Sequence, residues 1–493
     1  MHRHARAASI LLAASFMLTT SSTLVAAPAH SAGSTVLTKL PGWDGASASA
    51  RTPTYAAWFS RDITGEHFSS PTIGDFDRDG VMDIVAGFPD GTVQAWRTDT
   101  GRRWLSYRVG NGAVQASPTL VDLLGNGTLD VLTTDTAGDV VAFDALGRTL
   151  VRVRTGDGRH APGNFASPVA ADINRDGRLD IVLPSWDHHL HVWDVRSNKE
   201  LPGFPVFLGD TSWSTPAIAD IDKDGWPEII FGYDCDGVQG QPCYPQRGGY
   251  LGVLRHDGTR QAGFPRFIAN QVVWSSPAVG DIDGDGKLDI VVGTGTMPAS
   301  RMPGGQYIYA FHHNGSTVQG AWPVKVGGRV MSSPALGDID GDGKVDVAAV
   351  ADDGKLYVLD RYGRLEFAKC IANDLTSCPK GLHSSPSIAD VDGNGTREVV
   401  VGGEQWVDVI GAGGTVLYRG ETVSGTFPVT GAPAIAQIGG KTWIVAVSSS
   451  RDAAGFYGRV FAWTTGRASS TVQPWPTFHQ NPRHTGLLPL GAR

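Results

Sequence analysis

Apolar and polar positions alternate in short bursts along this chain, and the bursts recur. One stretch shows the pattern: Ala278-Val279-Gly280-Asp281-Ile282 alternates, an acidic glycine loop follows, and Asp289-Ile290-Val291-Val292-Gly293 is a β-branched run. Period-two alternation bounded by glycine turns is the signal of half-buried strands, and short β-branched runs are the signal of buried ones. A third segment, Tyr307-Ile308-Tyr309-Ala310-Phe311, ends in an aromatic residue. A fourth often holds an aromatic-Pro step, as at Phe204-Pro205, Phe264-Pro265 and Trp322-Pro323. No sustained helical period with caps occurs after the first thirty or so residues.

The same order returns eight times. Aligned on a proline, the units start at Ser70-Pro71, Ser117-Pro118, Ser167-Pro168, Thr215-Pro216, Ser276-Pro277, Ser333-Pro334, Ser385-Pro386 and Ala432-Pro433, spaced 47 to 61 residues apart. Four short strands per unit, joined by tight turns, describe a propeller blade. The expected fold is therefore all-β, a β-propeller of eight four-stranded blades. A strand candidate at 55–63 precedes the first unit, and pairing it with the last unit would close the ring and remove exposed edges. Seven blades is the alternative, should the last unit pack outside the ring.

Composition narrows the setting. Glycine makes up 64 of 493 residues, which favours turns over long helices. His2, Arg3, His4 and Arg6, an apolar run at 10–24, and small residues at Ala27, Ala29 and Ser31 form the pattern of a secretory signal. The expected organisation is a signal at 1–31, a linker at 32–54, the propeller at 55–471 and a capping tail at 472–493, in an exported monomer. No later run reaches the ~18 apolar residues of a membrane span. A formal charge of −8 disfavours nucleic acid as a partner. Cys235 and Cys243 are eight apart, as are Cys370 and Cys378, so two local disulfides are the simplest of three pairings. Zinc is the rival, weakened by the absence of CxxC.

The loop after the first strand carries the chemistry. It reads DxDxDGxx[DE] at Asp75, Asp77, Asp79, Asp83; at Asp220, Asp222, Asp224, Glu228; at Asp281, Asp283, Asp285, Asp289; and at Asp338, Asp340, Asp342, Asp346. Two further loops substitute an amide: Asp172, Asn174, Asp176, Asp180 and Asp390, Asp392, Asn394, Glu398. The second unit is weaker, with Asp122, Leu124, Asn126 and Asp130, and the eighth, Gln437-Ile438-Gly439-Gly440, has lost every ligand. Ca²⁺ takes six to eight oxygens at ~2.3–2.6 Å, so alternate side chains of a tight loop converge on it while the sixth-position glycine permits the reversal. An EF-hand is excluded by Ala86 at the twelfth position of the first loop and by flanking strands. About six structural Ca²⁺ sites are expected.

The unit at 275–293, SSPAVGDIDGDGKLDIVVG, resembles the FG-GAP/VCBS repeat of integrin α-chain propellers and of many secreted bacterial proteins. The resemblance covers about 55–463. It implies a propeller with calcium in peripheral hairpin loops, and no single activity: such repeats occur in adhesion proteins, lectin-like proteins and an eight-bladed family of rhamnogalacturonan lyases. The tail from Trp475-Pro476 to His484-Thr485-Gly486 is similar to the closing segment of other secreted bacterial propellers.

Catalytic candidates are sparse. His188, His189 and His191 cluster in the third unit and His312 and His313 close a strand, all read as structural, and no GxSxG or HExxH occurs. Trp58, Trp96, Trp104, Trp186, Trp193, Trp213, Trp274 and Trp322 recur at strand ends, where a ring wedges blades or stacks on a sugar; Trp213 and Trp274 are placed to line one face. The leading expectation is a binding or adhesion module for polysaccharide or protein. The alternative is a polysaccharide lyase whose Ca²⁺ neutralises a uronate.

Overall fold

The computed structural model describes residues 54–60 and 68–488, apart from 238, 297–304, 372–377, 379–383, 405, 422–428, 453–454, 466–468 and 470–472. The signal at 1–31 and all but Thr54 of the linker lie outside the described residues. Eight antiparallel sheets follow one another in chain order. Blade 5 is typical, with strands Ala278–Gly280, Asp289–Gly293, Tyr307–His312 and Val324–Lys325. First and second strands are buried almost throughout and fourth strands expose one face, so each sheet runs outward from a ring of first strands that contact one another.

The aromatic-Pro step lies outside the strands themselves. Its peptide is cis at Phe204-Pro205, Phe264-Pro265 and Trp322-Pro323, and the strands begin just after, at Val206–Phe207, Arg266–Ala269 and Val324–Lys325. Proline has no N–H to give a ladder, so it marks the entrance. In blade 3 the step splits the outer strand into Lys199–Glu200 and Val206–Phe207, both paired with His189–Asp194.

The ring closes with eight blades. Thr54–Ser60 pairs antiparallel with Gly455–Thr464, completing the sheet of Ala434–Ile438 and Lys441–Asp452. That sheet lies within the ring: Val445, Val447 and Val460 pack against Ile84, Phe88 and Trp96 of blade 1. Comparable layers lie between the other neighbouring sheets, so the core is spread around the ring. The expected disulfides, Cys235–Cys243 and Cys370–Cys378, are both formed.

The Ser-Pro repeat has a structural purpose beyond turning the chain. The backbone N–H of the residue before each proline donates to the hydroxyl of its equivalent in the next blade: Ser70 to Ser117 at 2.9 Å, Ser117 to Ser167 at 2.8 Å, Ser167 to Thr215 at 2.8 Å, Thr215 to Ser276 at 3.0 Å, Ser276 to Ser333 at 3.2 Å and Ser333 to Ser385 at 2.9 Å. Ala432 N–H donates to Ser70 at 2.8 Å and closes the circle. Ala432 has no hydroxyl; there Ser384 Oγ bridges to the Gly431 carbonyl at 3.0 Å.

A second circle lies inside the first. First strands present their free edge to the axis, where a buried N–H needs an acceptor. Residues 473–488 supply it. The N–H groups of Ile388, Ile435, Leu120, Ile218 and Val279, each the second residue of its first strand, donate to the carbonyls of Trp475, Pro476, Pro482, Thr485 and Gly486 at 2.7 to 3.0 Å. The segment thus runs as a hoop from blade 7 through blades 8, 2 and 4 to blade 5. Trp475, His479 and His484 are each only 1% exposed on it.

Candidate metal loops and binding face

Seven of the eight blades build the same loop between first and second strand, held by its own backbone. In blade 4, Gly225 N–H donates to Asp220 Oδ2 at 3.0 Å, Trp226 N–H to Asp224 Oδ1 at 2.8 Å and Ile221 N–H to Glu228 Oε2 at 2.9 Å. In blade 3, Gly177, Arg178 and Ile173 bond Asp172, Asp176 and Asp180 in the same way. The sixth-position glycine is left-handed in every one, from Gly80 at φ 87° to Gly395 at φ 92°. So is the fourth position, which sequence reasoning missed. Glycine fills it in blades 2, 5, 6 and 7, but Arg78, Arg175 and Lys223 take it at φ 55–61°. These side chains reach toward the next blade: Lys223 Nζ bonds the Gly286 carbonyl and Arg175 lies over the Trp226 ring at 5.4 Å.

The ninth-position carboxylate opens the second strand and is buried: Asp83, Asp130, Asp180, Glu228, Asp289, Asp346 and Glu398 are all 2% exposed or less. Burial, assisted by the neighbouring loop carboxylates, pushes Asp180 and Glu228 up to about 7 and Glu398 up to about 8, and raises Asp289 and Asp346 in the same direction. One oxygen of each accepts a loop N–H. The second oxygen of Asp130, Asp180 and Glu228, and Oδ1 of Asp75 and Asp220, are buried with no hydrogen-bond partner. Orphaned buried oxygens are costly, and hard oxygens facing one point suit a divalent cation. Ligand oxygens of Asp75, Asp77 and Asp83, of Asp220, Asp222 and Glu228, of Asp281, Asp283 and Asp285, and of Asp338, Asp340 and Asp346 lie within 4.8 Å of one another in each group. Asp390, Asp392, Asn394 and Glu398 form the same backbone-held loop in blade 7.

Two loops depart from this. In blade 2, Leu124 stands 38% exposed at the third position and brings no ligand oxygen there. In blade 8 the loop is gone, because Gly439 and Gly440 make a tight turn between two long strands.

Two of the expected structural histidines, His191 and His312, find carboxylate partners. His191 stacks on Trp193 at 4.7 Å and lies between Asp187 at 3.0 Å and Glu200 at 2.7 Å. Burial opposes its charge, but the two carboxylates hold the proton and raise it to about 9. His312 Nδ1 meets Asp289 Oδ1 at 2.8 Å, so it belongs to the blade 5 loop and not to the turn that follows.

Residues just before the first strands lie on the opposite face from the acidic loops that follow those strands. There Phe165, Trp186 and Trp213 form a half-buried triad with ring centres 4.8 to 5.1 Å apart, and Trp213 stacks on Trp274 at 4.9 Å. Trp274 is fixed by Asp234, which accepts its Nε1–H at 2.7 Å. Trp96, Trp193 and Trp322 are buried wedges, and Trp104 lies beside the blade 1 loop.

Known proteins match this architecture. The FG-GAP-like repeat is matched at 122–183, 172–231 and 338–401, and the FG-GAP repeat at 273–300. Integrin alpha pat-2 of Caenorhabditis elegans is 23% identical over 281 residues, 48% of this chain and 18% of that protein. Rhamnogalacturonan endolyase YesW of Bacillus subtilis (strain 168) is 27% identical over 223 residues, 42% of this chain and 34% of that protein. The chain thus spans about a third or less of the length of these relatives. Among solved structures, BamB from Moraxella catarrhalis aligns with a TM-score of 0.50 and 13% identity, over 83% of this chain and 98% of that one. A europium-containing methanol dehydrogenase aligns with a TM-score of 0.54 and 11% identity, over 83% and 92%. These two share the fold alone. The chain is an eight-bladed β-propeller that carries FG-GAP repeats.

Proposed function

We propose that this protein is an exported binding module: a calcium-held propeller that recognises a polysaccharide on the face carrying Phe165, Trp186, Trp213 and Trp274. Residues 1–31 act as the export signal, 32–54 as a linker, 55–471 as the propeller, and the tail from 472 as its closing segment. Two disulfides and a set of calcium ions suit a chain working outside the cell, where calcium is abundant. The loops of blades 3, 4, 5, 6 and 7 hold ions, which neutralise crowded carboxylates, and blade 1 has a sixth acidic loop of the same pattern; the orphaned oxygens of Asp180, Asp220 and Glu228 support this.

The observation that carries the reading is the half-buried aromatic triad on the face opposite the loops. Flat rings held by their neighbours offer apolar contact area to the C–H faces of a pyranose at low entropic cost. The test is a glycan and pectin-fragment binding screen of the protein and of Trp213→Ala. Binding that the variant loses by about tenfold supports the assignment, and equal binding by both refutes it.

Similarity to the Bacillus subtilis endolyase favours a second reading, cleavage of a uronate-containing polysaccharide. The same screen, monitored for new ultraviolet absorbance from unsaturated uronates, separates the two.

A further inference from the structure

The loops differ in the residue that faces the ninth-position carboxylate across the sheet. Opposite Asp83 stands Arg97, and opposite Asp289 stands His312; opposite Asp180 stands Asp194. A guanidinium can reach the loop from across the pair of strands in blade 1, through Arg97, and in blade 4, through Arg255. Arg97 Nη1 lies 2.8 Å from Asp77 Oδ1, 2.8 Å from Asp79 Oδ2 and 3.4 Å from Asp83 Oδ1, while Nη2 bonds Asp77 Oδ2. One nitrogen thus stands where three of the four expected ligands converge; of the four, Asp75 keeps a buried oxygen, Oδ1, without a partner, while the ninth-position carboxylate, orphaned in blades 3 and 4, is engaged here. Trp104 completes the arrangement. Its ring lies 4.9 Å from the guanidinium carbon and its Nε1–H donates to Asp83 Oδ1 at 2.9 Å.

Arg255 of blade 4 shows what a shallower arginine does. It bonds Asp224 and lies 3.7 Å from Asp222, leaving Asp220 Oδ1 and Glu228 Oε1 buried and open to an ion. In blade 3 no cation enters from across the sheet, and Asp180 Oδ1 stays open.

We propose that Arg97 is the resident cation of the blade 1 loop and keeps that loop free of metal, so the propeller carries one fewer calcium ion than its acidic loops predict. A guanidinium is always charged, spans two carboxylates at once and stacks on an indole, so it holds a loop at any calcium concentration. The assignment rests on the calcium reading of the remaining loops, and the experiment separates the two failures.

Calcium per protein is measured by elemental analysis after equilibrium dialysis for the whole exported chain, for Asp77→Asn with Asp79→Asn, for Arg97→Gln and for Asp172→Asn with Asp176→Asn. The blade 1 carboxylate variant is expected to keep the full count, Arg97→Gln to gain one ion, and the blade 3 variant to lose one. Loss of one ion from the blade 1 carboxylate variant overturns the role of Arg97. No calcium in the unaltered chain overturns the reading on which it rests. Should Arg97→Gln fail to fold, the carboxylate variant alone decides.

Discussion

Stripped of any bound calcium, this protein should become more stable as the solution is acidified from pH 8 to pH 6.5. Asp180, Glu228 and Glu398 are ionised at pH 8 only at a cost, because burial lifts Asp180 from 3.8 to about 7, Glu228 from 4.5 to about 7 and Glu398 from 4.5 to about 8. A group whose carboxyl is raised on folding stabilises the folded state below its unfolded value and loses that contribution as pH climbs through the folded one. Over this window, protonation of the three recovers about 3 kcal/mol, reduced to about 1.5 by water reaching loops near the surface. At 2–4 °C per kcal/mol for mid-sized domains and less for larger ones, the chelated protein should melt about 3 °C higher at pH 6.5 than at pH 8. Below pH 6.5 an opposing effect enters. Burial pushes His484 down to about 3, so the unfolded chain takes a proton that the folded chain refuses. Differential scanning calorimetry in EDTA at half-unit steps reads both limbs, and the calcium-loaded protein should show a smaller rise, to which the raised His191 contributes in either state. A chelated sample whose melting point is flat or falls between pH 8 and 6.5 would refute the account of the buried carboxylates.

Three other outcomes follow from the same structure. Asp180→Asn should raise the melting point of the chelated protein at pH 8 by a few degrees while shrinking the increment that calcium adds. Ser117→Ala leaves the buried Ser70 N–H without its acceptor and should cost about 1–2 kcal/mol by urea unfolding. Trp475→Ala removes a fully buried ring from the layer shared by blades 5 to 7 and should cost about 3–5 kcal/mol; a loss below 1 kcal/mol would mean the hoop is not docked in solution.

Much of this was legible along the chain because it is local and repeated. Strand order, turn glycines and the nine-residue spacing from Asp75 to Asp83 all lie within a few residues and recur eight or seven times, so each copy corroborates the others. Blade count followed once the last unit had strands enough to accept a partner at 54–60. What escaped depends on residues far apart. Ser70 and Ser117 were visible as turn markers, but their hydrogen bond spans 47 residues and exists only after two blades stack. The pairing of Thr119 with His484 spans 365, so no local pattern shows that the tail's carbonyls meet the inner edges of the first strands. Arg97 lies twenty residues from Asp77, and only the strand register brings it opposite Asp83.

The hoop changes what kind of repeat protein this is. In an open solenoid each module feels only its neighbours, and damage stays near where it occurs. Here sixteen residues touch blades 2, 4, 5, 7 and 8, spread around the ring, so they report on assembly of the disc at once. Such a segment acts as a census: it finds its acceptorless amides only when every blade has taken its place, and a chain missing one blade leaves the census unfilled.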